Sequence, residues 1–410
     1  MSGWRVLRVE VHRAKTIGIY AASAALAAAS PLLAVPVVAT RFGLADWTAL
    51  AIGQSWGGAG AVLVAYGWAL AGPAMVGAVK GESSRRIVRL ALLSQLVLFV
   101  PTSALCYFLS MISTGDLPYV PGAAAVAACA SALIPGWFFI GQSRPLGFLA
   151  WNAASSTFGT LAGVFALALG AQLLLLPLIQ LVIALIASIS LYRVEGKPGH
   201  SDSRPISVRE VIATYRIQWP YAATQLSSVV YINLPLGIAG LFHLPDLTSV
   251  AVVDRVYRLA LAGSQPLTQY LQGRVFAAQG TKQRLQRAYR AVRVHLYAGL
   301  LGGAVLLAVG PVFSSALFGG DTTAPSSLWI FYSATLAIVV TSRAVGGVLL
   351  VQLGKGRALA MSSLSGAAIA VFLIIATGSL LGGTAVALSV LAAECAVLTI
   401  QCTQANRRGV

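Results

Sequence analysis

The sequence predicts an all-α polytopic membrane protein, with about twelve transmembrane helices in two six-helix lobes around a central cavity. Three observations lead there. Hydrophobic residues make up 58% of the chain and charged residues 10%, with a mean hydropathy of +0.82, far from the balance of a soluble domain. All but four of the 28 Lys and Arg residues lie in seven short segments. These are the N-terminus (Arg5, Arg8, Arg13, Lys15), Lys80 to Arg89, Arg144, Arg193 to Arg216, Arg274 to Arg293, Lys355 with Arg357, and Arg407 with Arg408. Two long apolar runs separate each segment from the next.

Basic residues concentrate in cytoplasmic loops, so all seven segments face the cytoplasm and both termini lie inside. A crossing takes about 20 mostly apolar residues. The runs place spans near 16–38, 47–72, 87–111, 119–140, 148–169, 171–192, 219–242, 248–272, 294–317, 326–350, 358–379 and 382–403. The first span follows a basic stretch as a signal peptide would, but it is too long and eleven more follow, so it is read as retained. Gly, Pro, Ser and mixed charge make Arg193 to Gln218 a cytoplasmic linker. The expected organisation is therefore an N-terminal lobe at 1–192, a linker at 193–218 and a C-terminal lobe at 219–410. Six spans on each side of a linker is the pattern of a transporter built from two internal repeats. The expected location is the cytoplasmic membrane.

The +17 net charge does not indicate nucleic acid, because the cations are divided among short loops rather than gathered on a folded domain. Their expected work is to set orientation and touch anionic headgroups. Cys106, Cys129, Cys395 and Cys402 all fall in spans without metal-ligand spacing and read as small buried residues. The outer connections are short and carry Asp46, Asp116, Asp246 and Asp321, each alone, which excludes paired-carboxylate chemistry. There is no phosphate-binding P-loop, HExxH or nucleophile elbow. An enzyme is not expected, and no cofactor is implied.

Charges inside spans need an explanation, since each costs roughly 2.5–3.5 kcal/mol or more at a helix centre and so faces a bundle interior or wet cavity. There are five: Asp254, Arg255 and Arg258 in the eighth span, Arg343 in the tenth and Glu394 in the twelfth. Asp254 and Arg258 are four apart, neighbours on one helical face and able to pair. Arg255 stands one residue round, without a local partner. Arg343 and Glu394 lie at comparable depth, which allows either a structural bridge or a site for cargo or a coupling cation. Three arginines against two carboxylates make the cavity net positive, suited to a phosphate or diphosphate that arginine binds in bidentate fashion. Arg258→Ala is expected to abolish transport and leave the protein folded. Asp254 and Glu394 are the expected groups for an ion pair or for coupling to an ion, H+ or Na+.

Prolines add a second signal. Pro31 and Pro36 interrupt the first span, and Pro220 and Pro235 the seventh, at corresponding places in the two halves. Such prolines mark kinks, or mobile and cavity-lining helices. The 41 glycines fit close helix packing. Arg284, Arg287, Arg290 and Arg293 recur every third residue and read as an interfacial basic helix in contact with membrane lipids. Trp4, Val6, Leu7 and Val9, alternating with Arg5 and Arg8, read as a short anchoring segment.

The run from Pro31 to Pro73 resembles the start of the Wzx-type polysaccharide flippases. Two prolines five apart (Pro31, Pro36) precede an Arg-x-Gly element (Arg41, Gly43), then Gly53-Gln54-Ser55, then an aromatic-Gly pair, Tyr66-Gly67. The stretch PGWFFIGQSRPLGFLAWN, beginning at Pro135, is similar to the family's Trp-x-Phe-Gln-Gly element through Trp137, Phe139 and Gly141. VAVVDRVYRLALAG resembles the start of the family's eighth helix. Val37 and Ile140 depart from the pattern, as does a missing Arg after the aromatic-Gly pair. The resemblance implies the multidrug, oligosaccharidyl-lipid and polysaccharide exporter superfamily, working by alternating access. It implies export of polyprenyl-diphosphate-linked oligosaccharide to the outer leaflet for cell-surface polysaccharides such as O-antigen, with the diphosphate on Arg255, Arg258 or Arg343. A polysaccharide polymerase or glycosyltransferases are the implied partner proteins. Lipid II or teichoic-type cargo, a multidrug antiporter of the same superfamily, and a membrane scaffold for glycosyltransferases are the competing readings.

Overall fold

The computed structural model describes residues 18–19, 22–23, 25–27, 29–79, 81–115, 119–197, 204–276, 280–319 and 324–406. The N-terminal basic and anchoring segment, Lys80, Asp116, Asp321, Arg407 and Arg408 lie outside these residues. Among the described residues there is no strand. After a 3₁₀ turn at Ser30–Ala34, the helices are α1 (Val35–Arg41), α2 (Leu44–Ala65), α3 (Trp68–Gly77), α4 (Glu82–Thr114), α5 (Tyr119–Ala130) and α6 (Gly136–Gly141). There follow α7 (Pro145–Phe148), α8 (Ala154–Ala168), α9 (Leu175–Glu195), α10 (Val208–Ile232), α11 (Pro235–Leu241) and α12 (Leu247–Gly263). The last are α13 (Gln265–Phe276), α14 (Thr281–Phe318), α15 (Ser326–Ala344), α16 (Gly356–Leu381) and α17 (Gly383–Asn406).

This is an all-α, multi-pass membrane protein. Among the described residues eight helical stretches are long and apolar enough to cross a bilayer, some with a corner or a 3₁₀ or π turn inside them: Leu44–Gly77, Glu82–Thr114, Tyr119–Gly141, Leu175–Glu195, Thr281–Phe318, Ser326–Leu350, Gly356–Leu381 and Gly383–Asn406. They coincide with eight of the twelve expected spans. The first, fifth, seventh and eighth expected spans fall on interrupted helices. The fifth carries a π-helical turn, Leu149–Ala153, before α8. In the seventh, α10 ends at Ile232 and α11 restarts at Pro235, whose fixed φ and missing N–H suit the first position of a helix. The eighth is divided between Gly263 and Gln265. Pro31 sits in the 3₁₀ turn, Pro36 within α1, and Pro220 inside an unbroken stretch of α10.

The helices group into two compact units. One contains Gly60–Tyr107 and Ala123–Gln225 with the described residues before Val35; the other contains Val35–Ala59, Phe108–Gly122 and the described residues from Leu226 onward.

The first unit is built on an aromatic core of Trp68, Trp137, Phe138 and Phe139 with Val76, Val88 and Leu191. Trp68 and Trp137 stack with ring centroids 5.2 Å apart and planes 18° from parallel. Small residues allow it: a Cβ at Gly72 would lie 2.4 Å from the Trp137 ring, and one at Gly141 would lie 2.5 Å from the Pro73 carbonyl oxygen. The Trp137, Phe139 and Gly141 element is therefore a packing device. So is the aromatic-Gly pair, where α2 ends and α3 begins. Tyr66 has φ 39° and Gly67 φ 85°, a left-handed corner. A Cβ on Gly67 would come within 3.1 Å of the Gln218 carbonyl oxygen on α10.

α10 begins with a reciprocal cap. The Ser207 N–H donates to Glu210 Oε2 (2.8 Å) while the Glu210 N–H donates to Ser207 Oγ (3.3 Å). The polar stretch 193–218 thus turns helical at Val208. Arg86 Nη2 on α4 reaches the same carboxylate at 2.6 Å, and Arg144 pairs with Glu195 at 2.7 Å. The Ser207 N–H first, and Arg86 second, hold the Glu210 carboxyl down at about 2, against its ordinary 4.5.

Because the folded-state value lies below the unfolded one, this stabilisation is complete above about pH 4.5 and is lost as pH falls toward 2. Glu210→Gln should therefore melt below the parent chain at pH 7, with the gap closing on acidification. A gap independent of pH, measured by thermal unfolding in detergent, would contradict the assignment.

Candidate functional site

The site grows from the interruption between α10 and α11. Breaking a helix in an apolar environment frees carbonyl and N–H groups that water cannot satisfy, so side chains must. Ser55 on α2 spans the gap: its Oγ donates to the Asn233 carbonyl and accepts the Gly237 N–H at 3.2 Å. Arg258 on α12 supplies the remaining donors. Its Nη2 donates to the Ile232 carbonyl at 3.0 Å, Nη1 to Asn233 Oδ1 at 3.1 Å, and Nε to Asp254 Oδ2 at 2.5 Å. The i,i+4 pair of Asp254 and Arg258 is thus part of a larger clamp, with two of Arg258's three partners, Ile232 and Asn233, at the break.

A cavity of about 90 Å³ opens next to the clamp, with Asp254, Arg258, Arg343 and Glu394 in its wall alongside Tyr257 and Tyr332. Tyr257 and Tyr332 meet at 5.1 Å between ring centroids. Four of the five predicted charges therefore share one space. Arg343 and Glu394 do not bridge, however. Arg343 Nη1 donates to Ser264 Oγ (3.2 Å) and to the Leu261 carbonyl (3.4 Å) at the C-terminal end of α12, where a cation is favourable. Glu394 is 4% exposed and accepts from Ser342 Oγ at 3.3 Å; among the described residues it has no ion-pair partner. Equal depth on two helices did not decide the pairing, because the α12 terminus offered Arg343 nearer acceptors.

Arg255, one residue round from Asp254, faces a second cavity of about 150 Å³, lined by Trp47, Gln54, Ser55, Gly58, Asn233 and Arg258 among others. Its guanidinium lies 5.2 Å from the Trp47 ring centroid, a cation–π contact. Its Nε and Nη2 are shielded from solvent and donate to no acceptor in the described structure. Those two N–H groups form the edge of the guanidinium that binds two oxygens of a carboxylate or phosphate in parallel. Of the three arginines expected to hold an anion, Arg258 and Arg343 are committed to protein acceptors and Arg255 is not.

Sequence reasoning missed Asn233, Ser55, Trp47, Tyr257, Tyr332 and Ser342. Ser55 and Tyr257 lay within quoted segments, but their uncharged side chains gave no energetic signal. Pro220 and Pro36 touch neither cavity, whereas Pro235 lines the first. No group of His, Cys, Asp and Glu among the described residues could hold a metal ion.

Neither a protein-family model nor a curated protein sequence matches the chain. Solved structures do. The lipid II flippase MurJ in its inward closed conformation matches with a TM-score of 0.69 at 12% identity, over 94% of this chain and 87% of that one. A eukaryotic MATE transporter matches with a TM-score of 0.61 at 16% identity, over 97% and 96% of the two chains. An inward-facing multidrug resistance MATE family transporter of the MOP superfamily matches at 0.56 and 16%, over 95% and 93%. The chain shares their fold.

With three tethers, Arg258 is a structural residue, so Arg258→Ala is not expected to leave the fold intact. Arg258→Met should cost about 3 kcal/mol or more, since it strands the Ile232 carbonyl and the Asp254 carboxylate together. Asp254→Asn keeps an acceptor for Nε and should cost about 1 kcal/mol. Equal losses in unfolding measurements on the two purified variants would show that the break does not depend on Arg258.

Proposed function

We propose that the chain is a transporter, not an enzyme, that flips a polyprenyl-diphosphate-linked oligosaccharide from the cytoplasmic to the outer leaflet by alternating access. Arg255 carries the reading. A guanidinium in the wall of a cavity, with two parallel donors free, has strong affinity for a phosphoryl group and none for an organic cation. Asp254 accepts no hydrogen bond from its Nε or Nη2, because that carboxylate is paired with Arg258. Arg258 lines the same cavity but is paired with Asp254, so Arg255 supplies the cavity's excess positive charge, which favours an anion. The fold shared with a lipid II flippase supports a lipid-linked cargo, and lipid II is the second reading. The fold shared with multidrug transporters is less informative, since a cationic drug would have to sit beside Arg255.

The test is the leaflet distribution of polyprenyl-diphosphate oligosaccharide in cells lacking the protein and supplied with variants. Arg255→Ala should reach the membrane in normal amount and leave the cargo on the cytoplasmic face. Two charge-assisted hydrogen bonds lost from the bound state correspond to roughly a hundredfold or greater loss of flipping. Arg255→Lys, which keeps charge but loses the bidentate edge, should recover only part. Normal sidedness with Arg255→Ala would remove the proposed site. If lipid II rather than the oligosaccharide lipid accumulates, the cargo changes and the anion site stands.

Glu394 is the candidate group for coupling to an H+ or Na+ gradient, being buried with a hydroxyl as its recorded hydrogen-bond partner. Glu394→Gln in reconstituted vesicles should make flipping indifferent to an imposed gradient. Unaltered gradient dependence would assign coupling elsewhere.

A further inference from the structure

The basic helix that follows the eighth span forms a feature separate from the Arg255 site. Two clefts meet on it. One, about 230 Å³, is lined by Leu271, Arg274, Arg287, Arg290, Ala291 and Val294. The other, about 380 Å³, is lined by Arg290, Arg293, Val294 and Tyr297. Arg290 and Val294 belong to both, so the two are neighbouring parts of one depression along α13 and α14.

Four arginines share it without neutralisation. The sequence contains no Asp or Glu between Asp254 and Asp321. Among the described residues none of Arg274, Arg287, Arg290 and Arg293 has an ion-pair partner. Two are held in place: Arg287 Nη1 donates to the Arg274 carbonyl at 2.9 Å, and Arg274 Nη1 donates to the Tyr270 hydroxyl at 3.3 Å. Arg290 and Arg293 remain exposed.

The register of α14 states what kind of anion fits. The helix has 38 residues, so at about 1.5 Å per residue it is about 57 Å long, well beyond the roughly 30 Å of a hydrocarbon core. From Val294 to Phe318 it holds no Lys, Arg, Asp or Glu. Ala288, Ala291, His295, Gly299 and Gly303 are buried on its inner face. On the outer face Tyr297, Leu301 and Val305 follow one another at intervals of four, directly below Arg290 and Arg293, and are 69%, 67% and 51% exposed. A cationic depression thus runs without a break into an exposed apolar stripe. Cations that merely set topology need neither a cleft nor such alignment.

We propose that this depression binds the phosphate headgroup of an anionic membrane lipid, whose acyl chains lie along the outer stripe of α14. The arginines meet the phosphate in the headgroup layer. The stripe excludes a free phosphate as the preferred ligand, since that anion would use the upper half of the site and gain nothing from the lower.

The full chain, purified in detergent, should bind fluorescent phosphatidylglycerol saturably. Unlabelled phosphatidylglycerol should displace it, and phosphatidylcholine should not. The combined change Arg287→Gln, Arg290→Gln and Arg293→Gln should weaken binding roughly a hundredfold, about fivefold for each cation removed. Tyr297→Glu alters an exposed position and keeps every arginine, so it tests the site even if the triple variant fails to fold; it too should weaken binding several-fold. Displacement by inorganic phosphate as effective as by the lipid would replace the proposal with a free-anion site. Unchanged affinity in the Tyr297 variant, or equal displacement by phosphatidylcholine, would overturn it.

Discussion

The interruption at Asn233 and Leu234 is the constraint on which the rest of the second unit's chemistry depends. A helix broken among apolar side chains leaves backbone groups that cost several kcal/mol each if unmet. Here the Ile232 carbonyl takes Arg258, while the Asn233 carbonyl and the Gly237 N–H both take Ser55. The consequences run in order. Arg258, held from two directions, fixes the rotamer of Asp254 four residues earlier. Asp254, so engaged, accepts no hydrogen bond from Arg255 Nε or Nη2. Arg255 then stands in the wall of its cavity with its buried Nε and Nη2 unbonded among the described residues. A cation inside a span is costly, and here the Trp47 ring offsets part of that cost.

Close approach of backbones lets short side chains do this bridging. A Cβ on Gly237 would stand 3.0 Å from the Trp56 ring, and one on Gly53 would stand 2.2 Å from the Pro121 carbonyl oxygen. Neither position has room for a side chain. Helices in lipid gain no hydrophobic stabilisation from meeting one another, so contact distance and hydrogen bonds must hold them. The Trp56 indole donates to Ser113 Oγ at 3.0 Å, tying α2 to α4 beside the same α11 backbone. Ser55 reaches α11 because Gly237 gives way.

How far all this could be read in the sequence follows from energy scale. Charge in hydrocarbon is expensive, so the long apolar runs and the charges set within them stood out, and the i,i+4 spacing named Asp254 as Arg258's partner. The Pro235 break was legible because proline lacks an N–H, but the same reasoning expected an interruption at Pro220, which lies inside continuous helix. Ser55, Asn233 and Trp47 were not, since serine, asparagine and tryptophan are unremarkable in a span and their roles depend on which backbone groups a distant break frees. The partner of Arg343 was not legible either: depth along a helix says nothing of which way a side chain turns, and the end of α12 lay closer than Glu394. The residues that carried the family resemblance most clearly, Tyr66-Gly67 and Trp137 with Phe139 and Gly141, mark helix corners and core packing in the first unit. They point to a shared fold more directly than to a cargo.

The polarity of the cavity then constrains the cargo independently of any resemblance. Arg255 and Arg258 are adjacent to one cavity, and one carboxylate in its wall, Asp254, already hydrogen-bonded to Arg258, offsets them in part. Two like charges in such a place repel, and the cavity is most stable when an anion occupies it. With Arg258 paired to Asp254, the excess is the single charge of Arg255, and the proposed phosphoryl cargo would meet it through oxygens matched to that guanidinium edge. The same argument makes release as important as capture: an anion held by a rigid arginine pair would not leave. Because Arg258 is anchored to the broken segment, any rearrangement of that segment moves the second cation relative to the first. The break that creates the unpaired arginine is therefore also the natural place to weaken its grip.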